Sequence, residues 1–81
     1  MYDFDYIRSM DTETISWMKE KMMESYRGAV SYLNAGDREY AHYWYGVGEA
    51  YKHILEEKYD FRPEQEIDEL DDLLVRLEEE L

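Results

Sequence analysis

The chain has 81 residues, no cysteine, 21 acidic against 9 basic side chains and a formal net charge of -12. That length supports one modest core and no second domain, the missing cysteine excludes disulfide frameworks and thiolate metal sites, and the charge repels nucleic acid and anionic lipid while attracting basic protein surfaces. With 44% hydrophobic and 16% aromatic residues, the chain still has the apolar side chains to fold, which an acidic disordered chain lacks.

The opening "MYDFDYIRSM" carries Asp3 and Asp5 and no apolar run, unlike a signal peptide. No window approaches the roughly 20 apolar residues of a membrane span. A reducing, cytosol-like compartment and no membrane association are expected. Tyr2, Phe4 and Tyr6 alternate with the two aspartates at the period of two that suits an extended segment. This predicts an N-terminal arm over residues 1–11, laid across the rest of the domain or reaching toward a partner.

A first helix is expected over about 12–34, capped by Asp11 or Thr12. Projected at about 100° per residue, Ile15, Met18, Met22, Tyr26, Ala29 and Leu33 form one stripe, the core face. Trp17 falls opposite that stripe and Tyr32 to one side, so both are candidates for exposure or for a second contact. "NAGD" at 34–37 then supplies a glycine to end this helix and Asp37 to cap the next.

The second helix, about 38–59, spreads Tyr40, Tyr43, Trp44, Val47, Tyr51, Ile54 and Leu55 over an arc of roughly 120°, read here as its inward face. Inner tyrosines still need partners for their hydroxyls, so these rings are expected at the margins of the core. Gly48 borders the arc, and a mid-helix glycine costs about 1 kcal/mol relative to alanine. Close approach of a neighbouring backbone, or of a bulky ring such as that of Trp44 from a second copy, would justify it. His42, Gly46, Glu49 and His53 form an outer row with Tyr45 beside it, and Gly46 leaves a notch that a partner could enter. Glu39 and His42 have the Glu-x-x-His spacing of bundle di-iron sites, but those need two such motifs and two further glutamates pointing inward. No metal is therefore assigned, and Glu49 with His53 is expected to be an i, i+4 pair.

"YDFRPE" at 59–64 ends the second helix, because the residue before a proline resists helical angles and Pro63 suits a first turn. A third helix is expected over about 63–81. Ile67, Leu70, Leu74, Leu77 and Leu81 repeat at the 3, 4 spacing of a coiled-coil seam. Residues 64–81 hold nine acids against one base, Arg76, so they carry -8 of the chain's -12. Acids flanking the seam disfavour parallel self-pairing, so this helix is expected to pack on the other two or to pair antiparallel in a dimer. It leaves an outward acidic face of Glu64, Asp68, Asp71, Asp72, Glu78 and Glu79. A DNA strand carries one phosphate per 3.4 Å, and carboxylates about every 4 Å along such a face could imitate a short phosphate track.

Catalysis is not indicated. The serines and threonines lie mostly on the first helix with no histidine nearby to act as base, and no glycine-rich phosphate loop is present. No cofactor is implied.

Small size, absence of cysteine, nine tyrosines and the acidic "EQEIDELDDLLVRLEEEL" give a chain that resembles the small acidic helical proteins of bacteriophages and mobile elements, including anti-restriction and anti-CRISPR inhibitors. The resemblance is one of class over the whole chain. It implies stoichiometric inhibition of a host nucleic-acid-binding protein in the bacterial cytosol. The expectation is an all-α, three-helix antiparallel bundle with a short N-terminal arm, as a monomer or a dimer. Its acidic face would meet a basic protein surface, with Trp17 and the Tyr45, Gly46, His42, Glu49 and His53 notch adding specificity. The alternative is a structural or adaptor protein that self-assembles through its aromatic and leucine-rich helix faces.

Overall fold

The structure, a computed structural model, describes the backbone of residues 4–81 and the side chains of residues 12–81. Four helices follow in order, α1 (Phe4–Asn34), α2 (Arg38–Tyr59), α3 (Pro63–Glu66) and α4 (Asp68–Glu80), and the described residues contain no strand.

The first correction concerns the arm. α1 begins at Phe4, so most of the segment expected to be extended is helical. Nothing between Phe4 and Thr12 stops a helix, since there is no glycine or proline, and once a helix is nucleated each added residue gains a hydrogen bond at small cost. Three alternating aromatics are too short a pattern to override that. Tyr2 and the side chains of Phe4 and Tyr6 lie outside the described residues.

The turn into α2 forms as expected. Gly36 adopts φ 83°, a conformation that favours glycine, and the Asp37 carboxylate accepts the Tyr40 backbone N–H at 3.1 Å. At the far end, Asp60 stands in the left-handed region at φ 52° while the Phe61 N–H donates to the Leu55 carbonyl at 2.9 Å. That conformation strains any residue with a Cβ. Asp60→Gly is accordingly expected to gain about 0.5–1 kcal/mol, a rise of roughly 4 °C in a thermal melt; a lowered melting point would show that the aspartate side chain matters more than its backbone.

The second correction is that the expected third helix is two. Ile67 takes extended angles (φ -124°, ψ 105°) between α3 and α4. The break creates a second helix N-terminus with Asp68, Glu69 and Asp71 in its first turn, where negative charge complements the helix dipole. The apolar seam survives the break: Leu70, Leu74 and Leu77 are buried, with Ile67 and Leu81 partly so.

α1 and α2 form an antiparallel hairpin, with α4 packed along one of its faces. The α1 stripe is as projected: Met18, Met22, Tyr26 and Ala29 are buried, and Ile15 and Leu33 pack against the core. Two aromatic-on-glycine contacts set the register of the hairpin. The Tyr26 ring lies directly on Gly48, and Trp44 lies over Gly28. A ring of the same chain, not a second copy, therefore accounts for Gly48.

The third correction concerns α2. Its buried row is Ala41, Gly48 and Leu55, seven residues apart, while Tyr40, Tyr43 and Ile54 are 55%, 61% and 40% exposed. Small residues let α1 approach closely along that row. Packing of α3 and α4 on one flank then turns Tyr45, Glu49 and Lys52 inward and leaves the opposite flank open.

Candidate functional site

Two surfaces stand out, on opposite faces of the hairpin. α1 offers Arg27 and Asn34 to α4, whereas Lys21, Gly28 and Tyr32 face the uncovered side. The two sets lie roughly 130° apart around the helix at 100° per residue.

On the α4 side, Asp68, Asp71, Asp72, Glu78 and Glu79 are all exposed along one flank of the helix, around Val75, itself 54% exposed. Among the described residues, none of the five has a basic side chain within ion-pair distance. The bases near α4 are drawn to its other edge. Arg27 forks onto Glu69 at 2.6 and 3.0 Å, and Arg76 donates to Glu80 at 3.1 Å and also to Asn34. The Arg27 hydrogen bond holds the Glu69 carboxyl below its usual range and raises the guanidinium in turn. α4 is thus polarised: one edge is neutralised by arginine and the other carries five bare carboxylates.

Glu64 is exposed but does not join that row. It sits on α3, across the break at Ile67, and forms an ion pair with Lys52. Burial works against the Lys52 charge, but the hydrogen bond to Glu64 and the fields of Glu49, Glu64 and Glu56 more than offset it and hold the ammonium above its ordinary range. The expected acidic face is therefore five residues long, over about 17 Å at 1.5 Å per residue.

The expected notch comes apart. Glu49 is turned inward, where it accepts the Tyr26 hydroxyl at 2.7 Å instead of pairing with His53. Tyr45 is half-buried against the Tyr26 ring, with centroids 6.0 Å apart. Burial, reinforced by the Glu49 carboxylate, pushes both tyrosine hydroxyls up from the usual range. Only His42, Gly46 and His53 remain on the outer face, with no side chain near the Gly46 Cα to form a wall. No cluster of three or more metal-ligating side chains occurs among the described residues, and no helix there is long and apolar enough to cross a membrane.

The uncovered side of the hairpin holds what projection missed. Gly28, Trp44, Val47 and Tyr51 floor a groove of about 320 Å³ with Lys21, Glu24 and Tyr32 on its rim. Trp17 is 52% exposed, as expected, and meets Tyr51 edge-on at 6.0 Å with the Lys21 ammonium 5.9 Å from its ring. Tyr32 stacks on Tyr40 at 5.1 Å. The readable signal was the surplus of aromatics on α2, too many for one helix of this size to bury.

Comparison of the chain with protein-family models, with curated proteins and with solved structures finds no match. The geometry of these two surfaces therefore carries the functional reading.

Proposed function

We propose that this protein is a non-enzymatic acidic binding protein, a stoichiometric inhibitor that docks α4 on a Lys/Arg-lined surface where a host protein holds nucleic acid, in the manner of anti-restriction and anti-CRISPR proteins. The observation that carries the reading is the unpaired row Asp68, Asp71, Asp72, Glu78 and Glu79. Five carboxylates over about 17 Å give one roughly every 4 Å, close to the 3.4 Å phosphate repeat of a DNA strand. Because Arg27 and Arg76 are paired with Glu69 and Glu80, none of the five carboxylates has an ion pair among the described residues to break on docking. Val75 in its midst adds an apolar contact of the kind that survives desolvation. The reading requires no cofactor and places the protein in the host cytosol. The alternative, assembly with a second copy, draws on the aromatic face of the hairpin alone, since Leu70, Leu74 and Leu77 are spent inside the subunit.

The test is capture from host lysate at low and high salt. Proteins retained at low salt should be nucleic-acid-binding, should release as salt rises and screens the contacts, and should be displaced by duplex DNA. The variant carrying Asp68→Lys, Asp71→Lys, Asp72→Lys and Glu79→Lys, with its helical circular dichroism intact, should retain none of them. Capture that survives this reversal would remove the acidic flank from the function.

A further inference from the structure

Among the described residues the α1–α2 hairpin is covered on one face by α4 and bare on the other, and the Cα extents of 54 × 20 × 17 Å describe a rod only two helix layers thick. From this bare face we infer that two copies of the chain stack hairpin to hairpin about a twofold axis. They form a four-helix core with the two α4 helices on the outside.

The exposed area matches what such an interface needs. At about 150–250 Å² per aromatic side chain, Trp17, Tyr32, Tyr40 and Tyr43, exposed by 52%, 37%, 55% and 61%, leave roughly 400 Å² of ring surface open. Ile54, 40% exposed, and the groove floor bring the face to the order of 500–550 Å². One partner of a standard interface buries about 800 Å², its polar rim included, and two such faces together would bury roughly 1,100 Å², just above the ~1,000 Å² that a specific contact needs.

Shape and charge select a second copy as the occupant. An isologous contact requires one patch to hold both the protrusion and its receptor. Here Tyr43 stands proud on the outer edge of α2, and Gly28 leaves a trough between the helices in which only Trp44 approaches. The Tyr43 edge of each copy would lie over the Gly28 trough of the other. The rim pairs Lys21 with Glu24, 3.4 Å apart, and adds one acid, Glu39, beside Tyr40 and Tyr43, so stacking brings together only a single excess negative charge per copy there. The bulk of the negative charge is remote. Three interlayer spacings of about 10 Å separate the two α4 axes by roughly 30 Å, several times the screening length of about 8 Å at physiological salt. The pairing would present two acidic flanks pointing in opposite directions, a consequence that rests on the inhibitor reading while the pairing itself does not.

Sedimentation equilibrium of the full chain from micromolar to sub-millimolar concentration tests this without any partner. The expected mass is twice the 9.9 kDa of one chain, at low and at high salt. The double variant Tyr43→Glu, Ile54→Glu alters two exposed positions and should keep its helical signal, yet raise the dimer dissociation constant about 100-fold or more. The chain has no cysteine, so a single spin label at position 50, exposed beside the face, or at position 72 can also be placed unambiguously. The pair distance should be the shorter for position 50 and the longer for position 72. A wild-type chain that is monomeric throughout, a dimer indifferent to the double variant, or the reverse order of label distances would each overturn the stacking. Loss of a foreign protein's capture by a monomeric chain upon Tyr43→Glu would assign the face to that protein instead.

Discussion

Gly48→Ala should destabilise the protein by about 1–2 kcal/mol, although alanine is the better helix former by about 1 kcal/mol. A Cβ at this position would sit 2.8, 2.9 and 3.0 Å from three ring carbons of Tyr26. The ring cannot move aside: it is fully buried, its hydroxyl is tied to Glu49 at 2.7 Å and Tyr45 packs beside it. Overpacking of this kind costs about 1–3 kcal/mol, and three simultaneous contacts place it toward or beyond the upper end. Gly46→Ala, two residues away on the same helix, supplies the contrast. Nothing lies within 4 Å of its Cβ, so it should stabilise by up to about 1 kcal/mol. Urea denaturation of both variants reads the signs directly, and shifts in the same direction would mean that helix propensity alone governs both sites. For a domain of this size, whose total stability is of the order of 4–12 kcal/mol, the expected difference between the two variants is a large share.

Tyr26→Phe should cost about 1–2 kcal/mol at neutral pH, because the half-buried Glu49 carboxylate loses its donor. Its pH dependence is more telling. Burial, then the Glu49 hydrogen bond and charge, raise the Tyr26 hydroxyl above its ordinary value of 10.0. The neutral form is favoured in the folded state, so this contribution is fully present below pH 10. As pH rises further the unfolded chain releases the proton and the folded chain does not. Stability should then fall by about 1.4 kcal/mol per pH unit from this one group. Tyr45, raised by burial and by the same carboxylate, adds in the same direction. The phenylalanine variant lacks the Tyr26 part of the slope, so its stability should meet that of the wild type within about two pH units above 10. Denaturation curves between pH 7 and that range check it; parallel profiles would show that the hydroxyl is free to ionise in place.

The places where reading along the chain succeeded and failed share a physical cause. The α1 stripe and the α4 seam were legible because each helix buries large apolar side chains on one narrow face, and periodicity reports that face directly. The turns at Gly36 and Pro63 were legible because a positive φ and a fixed φ demand those residues. On α2 the same projection held for Leu55, buried, and for Trp44 and Tyr51, which pack against the core, and failed for Tyr40, Tyr43 and Ile54. The closest contact of the helix runs through Ala41 and Gly48, which carry little hydrophobic weight and so shift a hydropathy projection toward the exposed rings. Glu49 and Tyr45 were placed in an outer row because nothing local announces that Tyr26, 23 residues earlier, needs an acceptor. The acids of α4 were placed outward, since ionised carboxylates stay in water wherever the helix packs. Glu64 was grouped with them only because the break at Ile67 could not be seen.

The sequence by itself determined that this is an all-helical chain with a strongly acidic last segment, which helix faces carry its large aliphatic residues, and where the main turns fall. Those properties depend on residue type and local spacing. Tertiary structure alone decided which edge of α4 keeps its charges bare, because Arg27 meets Glu69, and Asn34 meets Arg76, only across the packed helices. It also decided that Gly48 is a seat for Tyr26 and that an aromatic groove opens on the far side of the hairpin. Each of these follows from which face of the hairpin α3 and α4 cover, a competition between packings that no single helix encodes.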